Sequence, residues 1–146
     1  MKSCAFFGHG DIDYRAYKEN IENSIVDLIE NYQVTQFYTG GRGAFDIFCA
    51  EELVVLKERY PYIKNTLVLS YMPNSDWVLP NRYDDSIYLL EGRVPPKYAI
   101  AHTNKLLVDK VDFVVTAVRR SWGGARVFHD YAEKKGKLFK NILHQD

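Results

Sequence analysis

The sequence predicts an α/β protein: one Rossmann-like domain whose mostly parallel, five-stranded sheet carries helices on both faces. Three observations carry that expectation. Apolar runs at 4–7, 66–71 and 111–117 have the unbroken character of strands buried on both sides. Segments of helical spacing alternate with them, as in βαβ units. Three glycine-bearing turns follow separate strands: Phe7-Gly8-His9-Gly10, Thr39-Gly40-Gly41-Arg42-Gly43 and Ser121-Trp122-Gly123-Gly124-Ala125.

In chain order, Cys4-Ala5-Phe6-Phe7 is the first strand and stops at Gly8. Asp11 or Asp13 then caps a helix whose apolar positions Tyr17, Ile21, Ile25 and Leu28 recur at helical spacing. Val34 to Tyr38 is the second strand. A helix from about Asp46 to Arg59 follows the second turn, with Phe45, Phe48, Cys49, Leu53 and Leu56 inward and Pro61 marking its end. Thr66 to Tyr71 is the third strand. Between Met72 and Pro96 the alternation fails, and four prolines mix with Trp77, Tyr83 and Tyr88, the composition of a partly ordered flap or an interface rather than a floppy linker. Pro95-Pro96 suits the start of a helix running through Asn104 to about Asp109. Val111 to Ala117 is the fourth strand, Ala125 to Lys135 the last helix with Gly136 past its end, and Leu138 to Leu143 the final strand.

At 146 residues the length fits one domain. Nineteen basic residues balance nineteen acidic ones, so no field of one sign argues for nucleic acid or a membrane surface, and nucleic-acid binding is not expected. Cys4 and Cys49 lack metal-ligand spacing and read as core residues of a reducing compartment. The few apolar residues before Gly8 are too short for a signal peptide or membrane span, so the expected location is cytoplasmic. No metal site and no cofactor is expected.

The turns carry the chemistry. A glycine-rich turn entering a helix leaves backbone N–H groups open to an anion such as phosphate, and in parallel sheets such turns converge at the carboxyl ends of the strands. The spacing is neither the G-x-G-x-x-G dinucleotide fingerprint nor a G-K-[ST] phosphate loop. Candidate ligand contacts are Gly8, His9, Gly40, Gly41, Arg42, Gly43, Asp46, Asn104, Arg119, Gly123, Gly124 and Ala125. Each has a plainer alternative. The glycines supply backbone freedom for sharp turns, Asp46 caps its helix, His9 is a polar surface residue, and Arg119-Arg120 is a solvated pair of which one member touches ligand. Asn104, an amide on an otherwise apolar helix, needs partners that a ligand or the glycine turn supplies.

The run Thr39 to Asp46 followed by Ala50-Glu51-Glu52, together with Phe7-Gly8-His9, Asn104 and Gly123-Gly124-Ala125, resembles the SLOG superfamily over residues 4 to about 143. The match is strongest to its YpsA-like branch, with DNA-processing protein A and the LOG phosphoribohydrolases more distant. The resemblance implies a Rossmann-like domain that binds a nucleotide-derived small molecule, and a homo-oligomer, for which the aromatic stretch supplies apolar surface. The sequence departs from the pattern at Gly10, where such proteins often have Arg, at Thr103, where a basic residue commonly precedes the Asn, and at Ala125, where a threonine is usual. LOG-type enzymes also use a glutamate after the last turn. Here Asp130 is the only acid near that position, and Glu51, one turn into the second helix, is a substitute that reads equally as a solvated helix residue, so the leading expectation is a binding domain that senses or sequesters a nucleotide or ADP-ribose-like ligand. A hydrolase releasing free base from nucleoside monophosphates is the alternative.

Overall fold

The computed structural model describes residues 1–144. Strand β1 (Lys2–Gly8) leads through a single 3-10 turn (Arg15–Tyr17) into α1 (Lys18–Tyr32), β2 (Val34–Thr39), α2 (Gly43–Leu56) and β3 (Lys64–Leu69). Then come β4 (Asp85–Tyr88), α3 (Pro96–Lys110), β5 (Phe113–Ala117), α4 (Gly124–Lys134) and β6 (Leu138–Asn141). The six strands form one sheet of order β4-β3-β2-β1-β5-β6, and every pairing is parallel. The chain therefore walks outward from β1 to β4, and α3 carries it back to the other side of β1. The reversal opens a crevice between the carboxyl ends of β1 and β5, where ligands of open α/β sheets bind.

Strand alternation divides the core between the two faces. Cys4 and Phe6 of β1 join Phe37 and Val115 under α1 and α2, where Ile21, Ile25, Leu28, Phe45 and Leu53 are buried. Ala5 and Phe7 point the other way, against Leu107 and Val108 of α3 and Phe128 and Ala132 of α4. Both thiols are free and buried, and burial pushes each thiol's pKa up, so neither is a nucleophile at neutral pH.

The structure corrects three expectations. The sheet has six strands rather than five. The missed strand, β4, has only four residues, none buried, so no apolar run marks it. Its place comes from outside: Asn65 N–H donates to the Asp84 carboxylate at 2.8 Å and Asp84 N–H donates to the Asn65 carbonyl at 2.9 Å, setting β4 beside β3. Neither Asp11 nor Asp13 caps α1. Arg120 takes the Asp11 carboxylate through two 2.8 Å contacts, Asp13 bonds Arg15, and the buried Tyr14, donating to the His9 carbonyl at 2.7 Å, turns the chain before the helix begins. Finally, α2 starts at Gly43 rather than Asp46, because Arg42, in extended conformation, is its cap, and it ends at Leu56 rather than near Arg59.

The close approach of α2 to β1 rests on glycine. A methyl group on Gly8 would lie 2.3 Å from the Phe45 ring, and Phe45 is fully buried between Phe6 and Tyr14 with no room to retreat. Gly8→Ala is therefore expected to lower stability by about 1–3 kcal/mol, as overpacked cores do. Urea unfolding checks this, and an unchanged midpoint would show that Phe45 can shift.

Candidate functional site

Four strand ends build the crevice. Gly8 ends β1, Thr39 leads into Gly40 and Arg42, Ser70 follows β3, and beyond β5 the chain reaches Gly124 and Ala125 at the start of α4. Together with Asp46 from α2 and Asn104 from α3, these residues line a cavity of about 160 Å³ whose floor is Phe6, Phe7, Val68 and Leu107. The first turn of α4 holds no acidic residue, so its open N–H groups and dipole face an uncompensated space.

Asn104 is half-buried and Ser70 buried, yet neither side chain makes a hydrogen bond with any described residue. Arg42 makes no salt bridge among the described residues and lies 5.1 Å from the Tyr71 ring centroid. A donor–acceptor amide, a hydroxyl and a guanidinium thus face the crevice with their capacity unspent.

Among the described residues, Asp46 is the one carboxylate lining the crevice. It accepts from the Arg42 N–H at 3.4 Å, reaching back to the cap of its own helix. The residue keeps part of its surface accessible, but burial of the carboxyl pushes its pKa up to about 7, against the opposing pull of the Arg42 and Gly40 amides and the Arg42 charge. Its carboxyl accordingly titrates in the neutral range and, when protonated, leaves the crevice without a fixed negative charge.

His9 stands behind the crevice and is buried. Its backbone N–H donates to the Ala117 carbonyl at 3.1 Å, and its Nε2 accepts from the Arg119 and Arg120 N–H groups at 3.0 and 3.2 Å. The ring therefore pins the turn after β5 to the end of β1, across the switch point. Both bonds require a neutral imidazole protonated at Nδ1. Burial, and secondarily the Arg120 charge, lower its pKa.

The remaining candidates fall outside the crevice lining. Gly41, at φ +68°, turns toward Leu67 and Tyr83, and Gly43, at φ +77°, packs on Gly10; an alanine at either is strained regardless of ligand. Gly123, at φ +98°, caps α4. Arg119 donates to the Tyr17 hydroxyl at 2.7 Å. Glu51 and Asp130 are exposed on α2 and α4, and Asp130 pairs with Arg126 at 3.0 Å. Sequence reasoning missed Ser70 because the apolar run reads as strand through Tyr71, whereas β3 ends at Leu69 and leaves Ser70 just past the strand end. A larger cleft, about 940 Å³, lies along α4 and β6 and is lined by Arg126, His129 and Lys140, but no glycine turn reaches it. Among the described residues no three His, Cys, Asp or Glu side chains assemble as a metal site, and no helix is long and apolar enough to cross a membrane.

No family model matches the sequence, and no curated protein matches it. Solved structures do. DNA processing protein A from Streptococcus pneumoniae superposes with a TM-score of 0.68 over 96% of this chain and 50% of its own, at 14% identity. The Helicobacter pylori protein of that name, described for its single-stranded DNA binding mode, gives 0.64 over 95% of this chain and 64% of its own, at 16% identity. The chain shares the fold of DNA processing protein A. A structural-genomics target, TM1055, gives 0.53 at 13% identity, covering 94% of this chain and 72% of that one. The chain thus spans half to two thirds of the two DNA processing proteins, and at these identities the likeness is one of fold.

The His9 contacts make a pH prediction. Its folded pKa lies below the unfolded value of about 6.5, so its contribution to stability is complete above that pH and is lost as pH falls toward the folded value. His9→Ala, which strands two amides, is expected to cost about 1–3 kcal/mol at pH 8 and less at pH 5. Urea unfolding at both pH values measures it, and a difference independent of pH would exclude the neutral-imidazole role.

Proposed function

We propose that this chain binds a nucleotide-derived small molecule, with the anionic group in the crevice at the ends of β1, β2 and β5. The observation that carries the reading is the pairing of unspent donors with an open helix N-terminus: the Asn104 amide, the Ser70 hydroxyl and Arg42 line the same cavity as Gly8, Gly40 and Gly124. Groups of this kind are left without protein partners where a ligand supplies them. Membership of the SLOG superfamily is part of this reading.

Gly124 gives the cleaner test, because a methyl group there meets nothing within 4 Å and alanine is a better helix former. Gly124→Ala is expected to keep or raise the melting temperature while weakening AMP or ADP-ribose binding at least tenfold by calorimetry. Wild-type affinity in the variant would reject the crevice as the phosphate site. Asp46 adds a pH signature: protonation through its pKa of about 7 removes a negative charge from the crevice. Affinity for an anion is expected to rise by roughly fivefold from pH 8 to pH 6, the scale of one screened charge at close range. Asp46→Asn should flatten that slope.

The reading is binding rather than hydrolysis: neither Glu51 nor Asp130 reaches the crevice lining, and the carboxyl that does, Asp46, is turned back onto the Arg42 amide at the start of its own helix, whereas cleavage of an N-glycosidic bond needs a carboxyl group directed at the reacting centre. No free base is expected from nucleoside monophosphates. Base release that disappears in Asp46→Asn would replace the binding reading with the hydrolase.

One observation favours a second reading. Trp122, two residues before Gly124, is 67% exposed, with the Arg120 guanidinium 5.4 Å from its ring centroid, a pairing that stacks unpaired bases. The fold neighbour from H. pylori binds single-stranded DNA, which reopens nucleic acid despite the balanced charge. Anisotropy of a labelled oligodeoxythymidine decides it: salt-sensitive binding lost in Trp122→Ala would support DNA, and no binding would leave the small molecule.

A further inference from the structure

A second cavity of about 300 Å³ adjoins the crevice, and the two share Gly40, Arg42, Val68 and Ser70 in their walls. That volume alone reaches the lower end of the usual range for small-molecule sites, about 300–1,000 Å³. Its outer walls are Tyr71, Trp77 and Tyr83, from the segment between β3 and β4. This segment is built in place. The Tyr71 hydroxyl donates to the Pro96 carbonyl at 2.8 Å, tying one wall to the start of α3. Trp77 N–H donates to the Asn74 carbonyl at 3.0 Å and Tyr83 N–H to the Pro80 carbonyl at 3.1 Å, closing two turns. The Asn65 amide holds the Arg82 carbonyl at 3.3 Å from the β3 side.

The polar groups at the junction favour one ligand chemistry. A purely apolar occupant would strip water from Arg42 and the Ser70 hydroxyl without replacing it. A free phosphate would leave Trp77 and the Tyr71 ring unused. A flat heterocycle with polar edges, joined through a sugar to an anionic group, meets both demands.

We propose that this side pocket is a nucleobase subsite: the base of a nucleoside phosphate stacks against Trp77 and the Arg42–Tyr71 pair while its phosphate occupies the crevice. The subsite rests on the proposed function, because it presumes that the crevice takes the anion. Arg42 stands at the junction of the two cavities, where a planar guanidinium can stack on a base with one face and donate to the phosphate end with its edge.

The test compares AMP with ribose 5-phosphate, which keeps the phosphate and lacks the base. The wild-type protein is expected to bind AMP at least tenfold more tightly, the scale of one base–aromatic stack. Trp77→Ala should bring AMP down to the ribose 5-phosphate level and leave ribose 5-phosphate binding unchanged. The chain has two tryptophans, so Trp122→Phe leaves Trp77 as the sole reporter, whose fluorescence should change with AMP and not with ribose 5-phosphate. Equal affinity for the two ligands, or an unchanged AMP preference in Trp77→Ala, would overturn the subsite while the crevice stands. Binding of neither ligand would overturn both. A short oligodeoxynucleotide that binds and loses affinity in Trp77→Ala would keep the subsite and identify its base as part of a DNA strand.

Discussion

The site depends on how closely two backbone turns approach one another. Gly10 and Gly43 meet backbone to backbone, and a methyl group on Gly43 would lie 2.7 Å from the Gly10 Cα. Ala44 N–H donates to the Gly10 carbonyl at 3.1 Å, so the contact is bonded as well as close. Gly8 does the same work a step earlier by admitting the Phe45 ring. These contacts set where α2 begins, and with it the position of Asp46 and Arg42 beside the crevice. The chain thus spends its first and second turns largely on packing. What they offer a ligand follows from the space their packing leaves.

The third turn is held in another way. Here the neighbours are far apart, and a methyl group on Gly123 or Gly124 would touch nothing within 4 Å. The fixing comes from His9, through the Arg119 and Arg120 amides, and from Arg120, through Asp11. The Arg120 contact holds the Asp11 carboxyl below the usual carboxylate range. Since His9 has to stay neutral while Asp46 gains a proton near pH 7, the two groups respond to acid in opposite directions. Asp46, with its raised pKa, favours the folded state as pH falls, and His9 opposes it. A modest fall in pH would discharge the crevice before it loosens the turn.

The same distinction explains what the sequence could and could not show. Strand alternation and the glycine turns were legible because two-sided burial and tight turns constrain residue type locally. Strand β4 was not legible, because Asn65 and Asp84 place it through contacts from another strand. The glycines drew attention as a class, yet sequence could not separate Gly8 and Gly43, which admit neighbours, from Gly124, which faces open space. Nor could it show that the ring of His9 is consumed by two amides, since its partners lie 110 and 111 residues away. Gly10 read as a departure from the family pattern, whereas the structure makes it the partner that Gly43 requires. Asn104 is the opposite case: its oddity on an apolar helix was visible locally, and the structure leaves its amide facing the crevice.

The segment between β3 and β4 turns a common scaffold into a particular one. The flap-or-interface expectation covers the longer stretch from Met72 to Pro96, which includes β4, and it divides by residue. Tyr83 is buried under the turn and serves as a wall, while Trp77 and Tyr88 keep more than a third of their surface. Fold likeness at 13–16% identity carries the sheet and the switch point over from the neighbours, and such a scaffold supports many ligands. Discrimination then falls to residues the scaffold does not dictate. Tyr71, Trp77 and Arg42 meet that description: none is needed to pair a strand or fill the core, and all three border the cavity beside the crevice. A relative with the same sheet and a different loop here would keep the crevice and change the cavity beside it.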